Sequence, residues 1–92
     1  MEIKDLPIGT KLMWDAPIPF EGYYNENKDY PGRIVYPCTL GKRHHLKGEP
    51  QDSMRMVHGP KTINKNWMRA IEYLRYPTEE ELLKFEWPDY EL

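Results

Sequence analysis

Nine prolines are spread along this 92-residue chain, and seven of them fall within residues 1–60. A proline inside a helix costs about 3 kcal/mol, because it removes a hydrogen-bond donor and clashes with the preceding turn. Long helices are therefore not expected in the first two thirds of the chain, where short strands joined by turns fit better. A chain of this length forms one small core, so we expect a single domain over 1–92.

Three segments in the first sixty residues have the alternation and composition of strands: 8–14, 33–40 and 53–58. Pro37 cannot donate a hydrogen bond to a neighbouring strand, so we expect it at a sheet edge or at a bulge. The first two strands are separated by an 18-residue loop, 15–32. Loops of that length are typically functional or are ordered by their own side chains.

After Pro60 the spacing of the apolar residues changes. Between residues 63 and 75 they recur every three or four positions, which is typical of an amphipathic helix. The same segment is rich in Trp, Ile and Tyr, which also favour strands. Helix and strand therefore both remain open for residues 63–75.

A second, shorter helix is predicted from a capping signal. Thr78 is followed three residues later by Glu81, the spacing at which each side chain binds the backbone of the other residue. We expect Leu82, Leu83 and Phe85 to supply the apolar contacts of this helix.

Together these patterns predict an α+β fold, in which a small antiparallel sheet or partial barrel is followed by a capped C-terminal helix. The β-rich part spans 1–60 and the helical part 61–92. The stretches "LPIGTKLMW" and "GRIVYPCTL" resemble the opening strands of small barrels of the Src-homology or Tudor type. The chain also resembles the short host-takeover proteins of bacteriophages, which are rich in aromatics and end in a helix of the "PTEEE" kind. That resemblance implies an inhibitor or modulator of a host protein.

The sequence predicts no enzyme, cofactor or metal site. Cys38 lies in an apolar strand, where a buried and unreactive thiol is the usual outcome. His44 and His45 are adjacent, whereas structural zinc sites present two spaced pairs of ligands. The acidic residues 79–81 are accounted for by the first turn of a helix, and there is no phosphate-binding glycine loop.

A cytoplasmic protein without a membrane partner is expected. One cysteine excludes an internal disulfide and favours a reducing compartment. Residues 1–10 have no signal-peptide pattern, and no apolar run approaches the roughly 20 residues of a membrane span.

Charge is unevenly distributed: residues 42–69 carry a net +5, and residues 70–92 a net −5. The basic part contains "GKRHHLKG", residues 41–48, which is either a solvated turn or a hairpin tip that binds a protein or phosphates. The candidates for nucleic-acid or anion binding are Lys42, Arg43, His44, His45 and Lys47. The net charge of −2 for the whole chain is unlike that of a typical nucleic-acid-binding domain.

Aromatic side chains are the other candidates, because Tyr, Trp and Phe anchor protein interfaces. The partner-binding candidates are Phe20, Tyr23, Tyr24, Tyr30, Trp87 and Tyr90. The leading hypothesis is therefore a non-enzymatic protein-interaction module with a host or cellular protein as partner. A nucleic-acid-binding module using residues 42–47 and a small-molecule or nucleotide-binding protein are the alternatives, and the oligomeric state is left open.

Overall fold

The computed structural model describes residues 2–22, 29–59 and 67–89. One antiparallel sheet contains five strands: β1 (Lys11–Pro17), β2 (Arg33–Leu46), β3 (Glu49–His58), β4 (Trp67–Ala70) and β5 (Leu74–Arg75). Among the described residues one short α-helix, α1 (Glu79–Lys84), follows, and 3₁₀ turns occupy Ile3–Asp5 and Ile71–Tyr73. The predicted α+β class, with a small antiparallel sheet and a short capped helix, is confirmed. None of the described helices is both long and apolar enough to span a bilayer.

The strand order is β4-β3-β2-β1-β5, so β1 to β4 are neighbours in sequence order and β5 returns to the outer side of β1. In the β1–β2 pair, Leu12 lies opposite Cys38 and Trp14 opposite Tyr36. The first strand starts three residues later than predicted, because the chain turns at Gly9, whose φ is 95°. It continues to Pro17, so residues 15–17 belong to the sheet and not to the predicted loop.

The stretch "GKRHHLKG" is mostly strand, which corrects the prediction of a turn. Its first six residues, 41–46, extend β2, and the chain reverses only at Lys47 and Gly48. Both turn residues have positive φ, 54° and 86°, as in the two-residue hairpin turns whose twist matches that of the strands. The register between β2 and β3 shifts on either side of Arg43, which marks bulges in this hairpin.

Pro37 does not lie in an edge strand, because β2 has β1 on one side and β3 on the other. It pairs with Met13 of β1, whereas the described pairing of β2 with β3 begins at Thr39, opposite His58. The proline thus precedes the described β3 ladder, where its missing N–H interrupts no described β3 pairing.

The strand alternative is correct for residues 67–70 and 74–75, residues 71–73 between them form a 3₁₀ turn, and residues 63–66 lie outside the described residues. β4 pairs with β3, placing Met54 opposite Ala70 and Val57 opposite Trp67. The helix-like spacing fails here because the outer edge of β3 offers a ladder of backbone hydrogen bonds, and this tertiary pairing overrides local periodicity.

Both faces of the central strands are covered. Leu12 and Met13 are consecutive, so their side chains point to opposite faces, and both are fully buried. The face of Leu12 holds the main core, formed by Leu12, Tyr36, Cys38, Leu40, Val57 and Leu74. Cys38 is buried there, as predicted, with its sulfur 3.7 Å from the carbonyl oxygen of Leu12.

The face of Met13 is crossed by the segment that follows β5. The hydroxyl of Thr39 on this face donates to the carbonyl oxygen of Pro88, and the indole N–H of Trp87 donates to the Leu12 carbonyl oxygen at 2.9 Å. Residues 76–89, here called the C-terminal segment, therefore pack on β1 and β2.

We expect Gly48→Ala to lower the free energy of unfolding by about 1–2 kcal/mol, because an L-residue is strained at positive φ. An added Cβ would meet no atom within 4 Å, so the cost comes from the backbone alone. Lys47→Asn, the matched variant, should be neutral or stabilising because Asn tolerates this conformation. Urea unfolding measures both, and equal stability of Gly48→Ala and wild type would contradict the turn geometry.

Candidate functional site

The helix α1 begins where the capping signal predicts. Thr78 is its N-cap, and the Thr78 hydroxyl accepts a hydrogen bond from the backbone N–H of Glu81 at 3.2 Å. In return, the Glu81 carboxylate accepts from the backbone N–H of Thr78 at 2.9 Å. Both halves of the capping box are thus formed.

The orientation of α1 is the reverse of the prediction. Its buried side chain is Glu81, with 3% of the residue exposed, while Leu82 is 49% exposed and Leu83 is 91% exposed. Leu82 and Leu83 were expected to supply apolar contacts, and that expectation is wrong. Phe85 is half-buried and stacks on Tyr30, with ring centroids 6.5 Å apart.

The buried carboxylate accounts for this orientation. Arg75 donates two hydrogen bonds to Glu81, from Nη1 to Oε1 at 2.7 Å and from Nη2 to Oε2 at 2.9 Å. The hydroxyl of Tyr30 donates to Oε2 at 2.7 Å, and Thr78 supplies the fourth bond. A bidentate Arg–carboxylate pair is among the strongest hydrogen-bonded contacts in proteins.

The same arginine extends the network to the sheet. Its Nε donates to Oδ2 of Asp15 at 2.8 Å, and Asp15 is also 3.3 Å from the Nε of Arg33. Alternating charges therefore connect β2, β1, β5 and α1, and they fix which side of α1 faces the sheet.

The network shifts the pKa values of its members in the directions that electrostatics requires. Arg75 lowers the pKa of Glu81 to about 2, helped by the bonds from Thr78 and Tyr30 and opposed by burial. Burial, followed by the bond to Glu81, raises the pKa of Tyr30 to about 12. Its bond to Glu81 also raises the pKa of Arg75. All three groups keep their ordinary charge near neutral pH.

With Glu81 directed inward, α1 presents an outer face formed by Glu79, Glu80, Leu82 and Leu83. Leu83 lies four residues after Glu79 and three after Glu80, so these side chains are neighbours on the helix surface. Both carboxylates are exposed, and no ion pair among the described residues involves them. The outer face thus combines exposed leucine with uncompensated negative charge.

The aromatic candidates are divided by the structure. Phe20 is 62% exposed. The hydroxyl of Tyr30 donates a hydrogen bond to Glu81, and the indole N–H of Trp87 donates one to the Leu12 carbonyl oxygen. The ammonium of Lys11 also lies 5.7 Å from the centroid of the Trp87 ring. Tyr23, Tyr24 and Tyr90 lie outside the described residues.

The basic candidates lie on the β2–β3 hairpin. Lys42, Arg43, His45 and Lys47 are exposed, and the side chain of His44 is outside the described part of the structure. Arg43 pairs with Asp5 at 2.6 Å. Described pairing to β1 stops before residue 42, and pairing to β4 involves residues 54–57, so the hairpin extends past both neighbours.

Arg55 of β3, another basic residue of the positively charged part 42–69, is buried. It donates to the carbonyl oxygens of Lys4 at 2.9 Å and Leu6 at 3.0 Å, and to that of Gly41. Its charge therefore holds the N-terminal 3₁₀ turn and a bulged part of β2 in place, and it is not available to a ligand.

A cavity of about 300 Å³ lies between the C-terminal segment and the start of β1. Its lining residues are Ile8, Gly9, Lys11, Thr39, Trp87, Pro88 and Asp89. This volume is at the lower limit of small-molecule sites. The described residues contain no group of three or more His, Cys, Asp or Glu side chains placed to hold a metal ion.

Comparisons of the chain with protein families, with characterised proteins and with solved structures found no match. The candidate site therefore stands on its own geometry, in which an inward carboxylate and outward leucines share one short helix.

Glu81→Gln should lower the free energy of unfolding by about 2–4 kcal/mol, because Arg75 loses its bidentate charged partner. The folded pKa of Glu81 lies below its ordinary value of 4.5, so its carboxylate stabilises the fold fully above pH 4.5. That stabilisation is lost as the pH falls toward 2. Urea unfolding of both proteins at several pH values should show the difference shrinking on acidification.

The exposed neighbour Glu80 provides the control, since Glu80→Gln should change stability by less than about 0.5 kcal/mol. A difference between wild type and Glu81→Gln that stays constant between about pH 5 and pH 2 would contradict the assigned role of Glu81.

Proposed function

We propose that this protein is a non-enzymatic protein-interaction module and that the outer face of α1 is the centre of its contact surface. The observation that carries the proposal is the orientation of α1, which leaves Leu83 91% exposed. Large apolar side chains at a folded surface mark interaction sites when they are grouped. Tyr76, two residues before the N-cap, is also exposed and lies close in sequence to this surface.

The energetics favour a partner over water on this face. Complete burial of a leucine side chain stabilises a folded protein or a complex by about 1.5–3 kcal/mol. The isolated protein does not gain this free energy at Leu83 and gains only part of it at Leu82. Association costs at least about 4 kcal/mol in lost translational and rotational freedom. The two leucines alone cannot give tight binding, so we expect them to be the apolar centre of a larger contact.

We also propose that the sheet closes into a partial barrel of the Src-homology or Tudor type. The strand order supports this, because four strands follow one another across the sheet and β5 then returns beside β1 after a 3₁₀ turn. The bulges in β2 supply local bending, which barrels require at their corners.

Our proposal for the biological role is an inhibitor or modulator of a host protein, of the kind that bacteriophages encode, acting in the cytoplasm. It rests on the resemblance described above, in which a small aromatic-rich chain ends in a capped "PTEEE" helix. The lone and buried Cys38 is consistent with a reducing compartment.

A photo-reactive benzophenone residue in place of Tyr76 tests the contact surface directly. Irradiation in bacterial lysate should give one predominant protein adduct, and the added substitution Leu83→Ser should reduce it at least tenfold. Leu83 is exposed, so this substitution should leave stability within about 0.5 kcal/mol of wild type. The matched control carries the benzophenone at Lys47, on the hairpin. An adduct that is unaffected by Leu83→Ser would contradict the proposal.

A nucleic-acid-binding module is the second candidate, favoured by the exposed Lys42, His45 and Lys47 on a hairpin that extends past its neighbouring strands. Two features weaken it, because Arg43 is already paired with Asp5 and because Glu49 is exposed on the same hairpin. The surface has too little net positive charge for strong binding to a polyanion.

Duplex DNA binding, measured by fluorescence anisotropy against salt concentration, separates the two candidates. Up to three phosphate contacts would give a slope of log K against log salt of about −2.7, and Lys42→Gln would reduce its magnitude by about 0.9. The interaction-module proposal instead predicts no measurable binding at physiological salt. A steep slope that depends on Lys42 would favour the nucleic-acid candidate.

A further inference from the structure

We infer that the partner segment covering the outer face of α1 is basic and apolar, with Lys or Arg side chains beside Leu, Ile or Met. This inference rests on the proposed function and specifies the chemistry of the partner. It is drawn from the charge that surrounds Leu83.

The C-terminal segment carries exposed negative charge in two parts, and the first part adjoins Leu83. Glu79 and Glu80 lie one helical turn before Leu83, and Glu86 and Asp89 are exposed in the extended residues that follow α1. None of these four carboxylates forms an ion pair with another described residue.

The cations of β5 and α1 are already paired, and Lys11 of β1 lies over the Trp87 ring and lines the cavity together with Asp89. Arg75 binds Asp15 and Glu81, and Lys84 binds Asp29. The positive charges nearest in sequence are thus used in contacts to Asp15, Glu81 and Asp29, whereas Glu79 and Glu80 beside Leu83 have no ion-pair partner among the described residues.

This distribution selects the partner. A neutral apolar partner would cover Leu83 and remove water from the nearby carboxylates without replacing it, and an acidic partner would repel them. A basic segment replaces lost hydration with charge pairs while its apolar side chains cover the leucines. Complementary charge at the rim of an apolar contact also speeds association and rejects wrong partners.

A second copy of the chain fits less well. Its basic hairpin carries the opposite charge, but the described side chains at its exposed end, at Lys42, Arg43, His45, Lys47 and Glu49, are polar. These five described side chains can meet the carboxylates but include no apolar group to cover Leu83. The chemistry of the outer face therefore points to a different protein.

Three synthetic amphipathic helical peptides test the inference. They share one length and one leucine pattern, and their polar positions are all Lys, all Gln or all Glu. With fluorescein-labelled peptides and the full chain, we expect the Lys peptide to bind at least tenfold more tightly than the Gln peptide. The Glu peptide should not bind. Leu83→Ser and the double variant Glu79→Gln/Glu80→Gln should each weaken binding of the Lys peptide at least fivefold, and the distant control Glu49→Gln should not.

The other outcomes each overturn a defined part of the reasoning. Equal binding of the Gln and Lys peptides, still lost in Leu83→Ser, would refute a basic partner and leave the proposed docking surface intact. Binding of the Lys peptide that is unaffected by Leu83→Ser would show a diffuse charge effect and refute the inference. If no peptide binds and the benzophenone adduct is also absent, the proposed function fails as well. Sedimentation velocity tests whether a second copy of the chain covers the outer face of α1. An oligomer that Leu83→Ser abolishes would identify that second copy as the partner and refute the inference.

Discussion

A carboxylate removed from water must be given charge and hydrogen bonds in return, and Glu81 imposes that requirement on the whole C-terminal segment. Arg75 can meet it only from β5, which places the guanidinium between Asp15 and Glu81. Tyr30 meets it from a segment 51 residues earlier in the chain. The helix must also begin at Thr78, so that the backbone N–H of that residue reaches the same carboxylate. One buried group thus determines the positions of α1, β5 and the chain around Tyr30 relative to β1.

The same constraint produces the candidate interaction surface. Successive residues of a helix are rotated by about 100°, so a helix with Glu81 against the sheet carries Leu83 on nearly the opposite side. α1 is only six residues long and has no second apolar turn with which to bury that leucine. Fold and surface are therefore two results of one orientation: the electrostatic network selects it, and the exposed leucines follow from it.

Features set by neighbouring residues were predictable from the sequence, and those set by distant ones were not. The Thr78–Glu81 capping box is local, and it correctly predicted where α1 begins. The inward direction of Glu81 depends on Arg75 and on Tyr30, and no local pattern reports that convergence. The bond from the Tyr30 hydroxyl to Glu81 joins residues far apart in the sequence, so composition marks Tyr30 only as an aromatic candidate for partner binding. The hairpin reading of residues 41–48 did not identify Lys47 and Gly48 as the turn, because Lys-Gly is a weaker turn signal than Asn-Gly or Asp-Gly.

The Arg75–Glu81 pair also limits how the sequence can change over evolutionary time. Replacing either residue alone leaves the other with an at least partly buried charge that has lost its ion-pair partner. Each single substitution therefore passes through a destabilised protein. Replacing both with apolar side chains of similar volume can leave stability unchanged or improved. The two positions are therefore expected to change together or not at all, and descendants that have lost the pair would be free to turn α1 the other way and bury its leucines. The orientation of the helix would then be inherited along with a pair of residues that lies on the opposite side of α1 from the exposed Leu83.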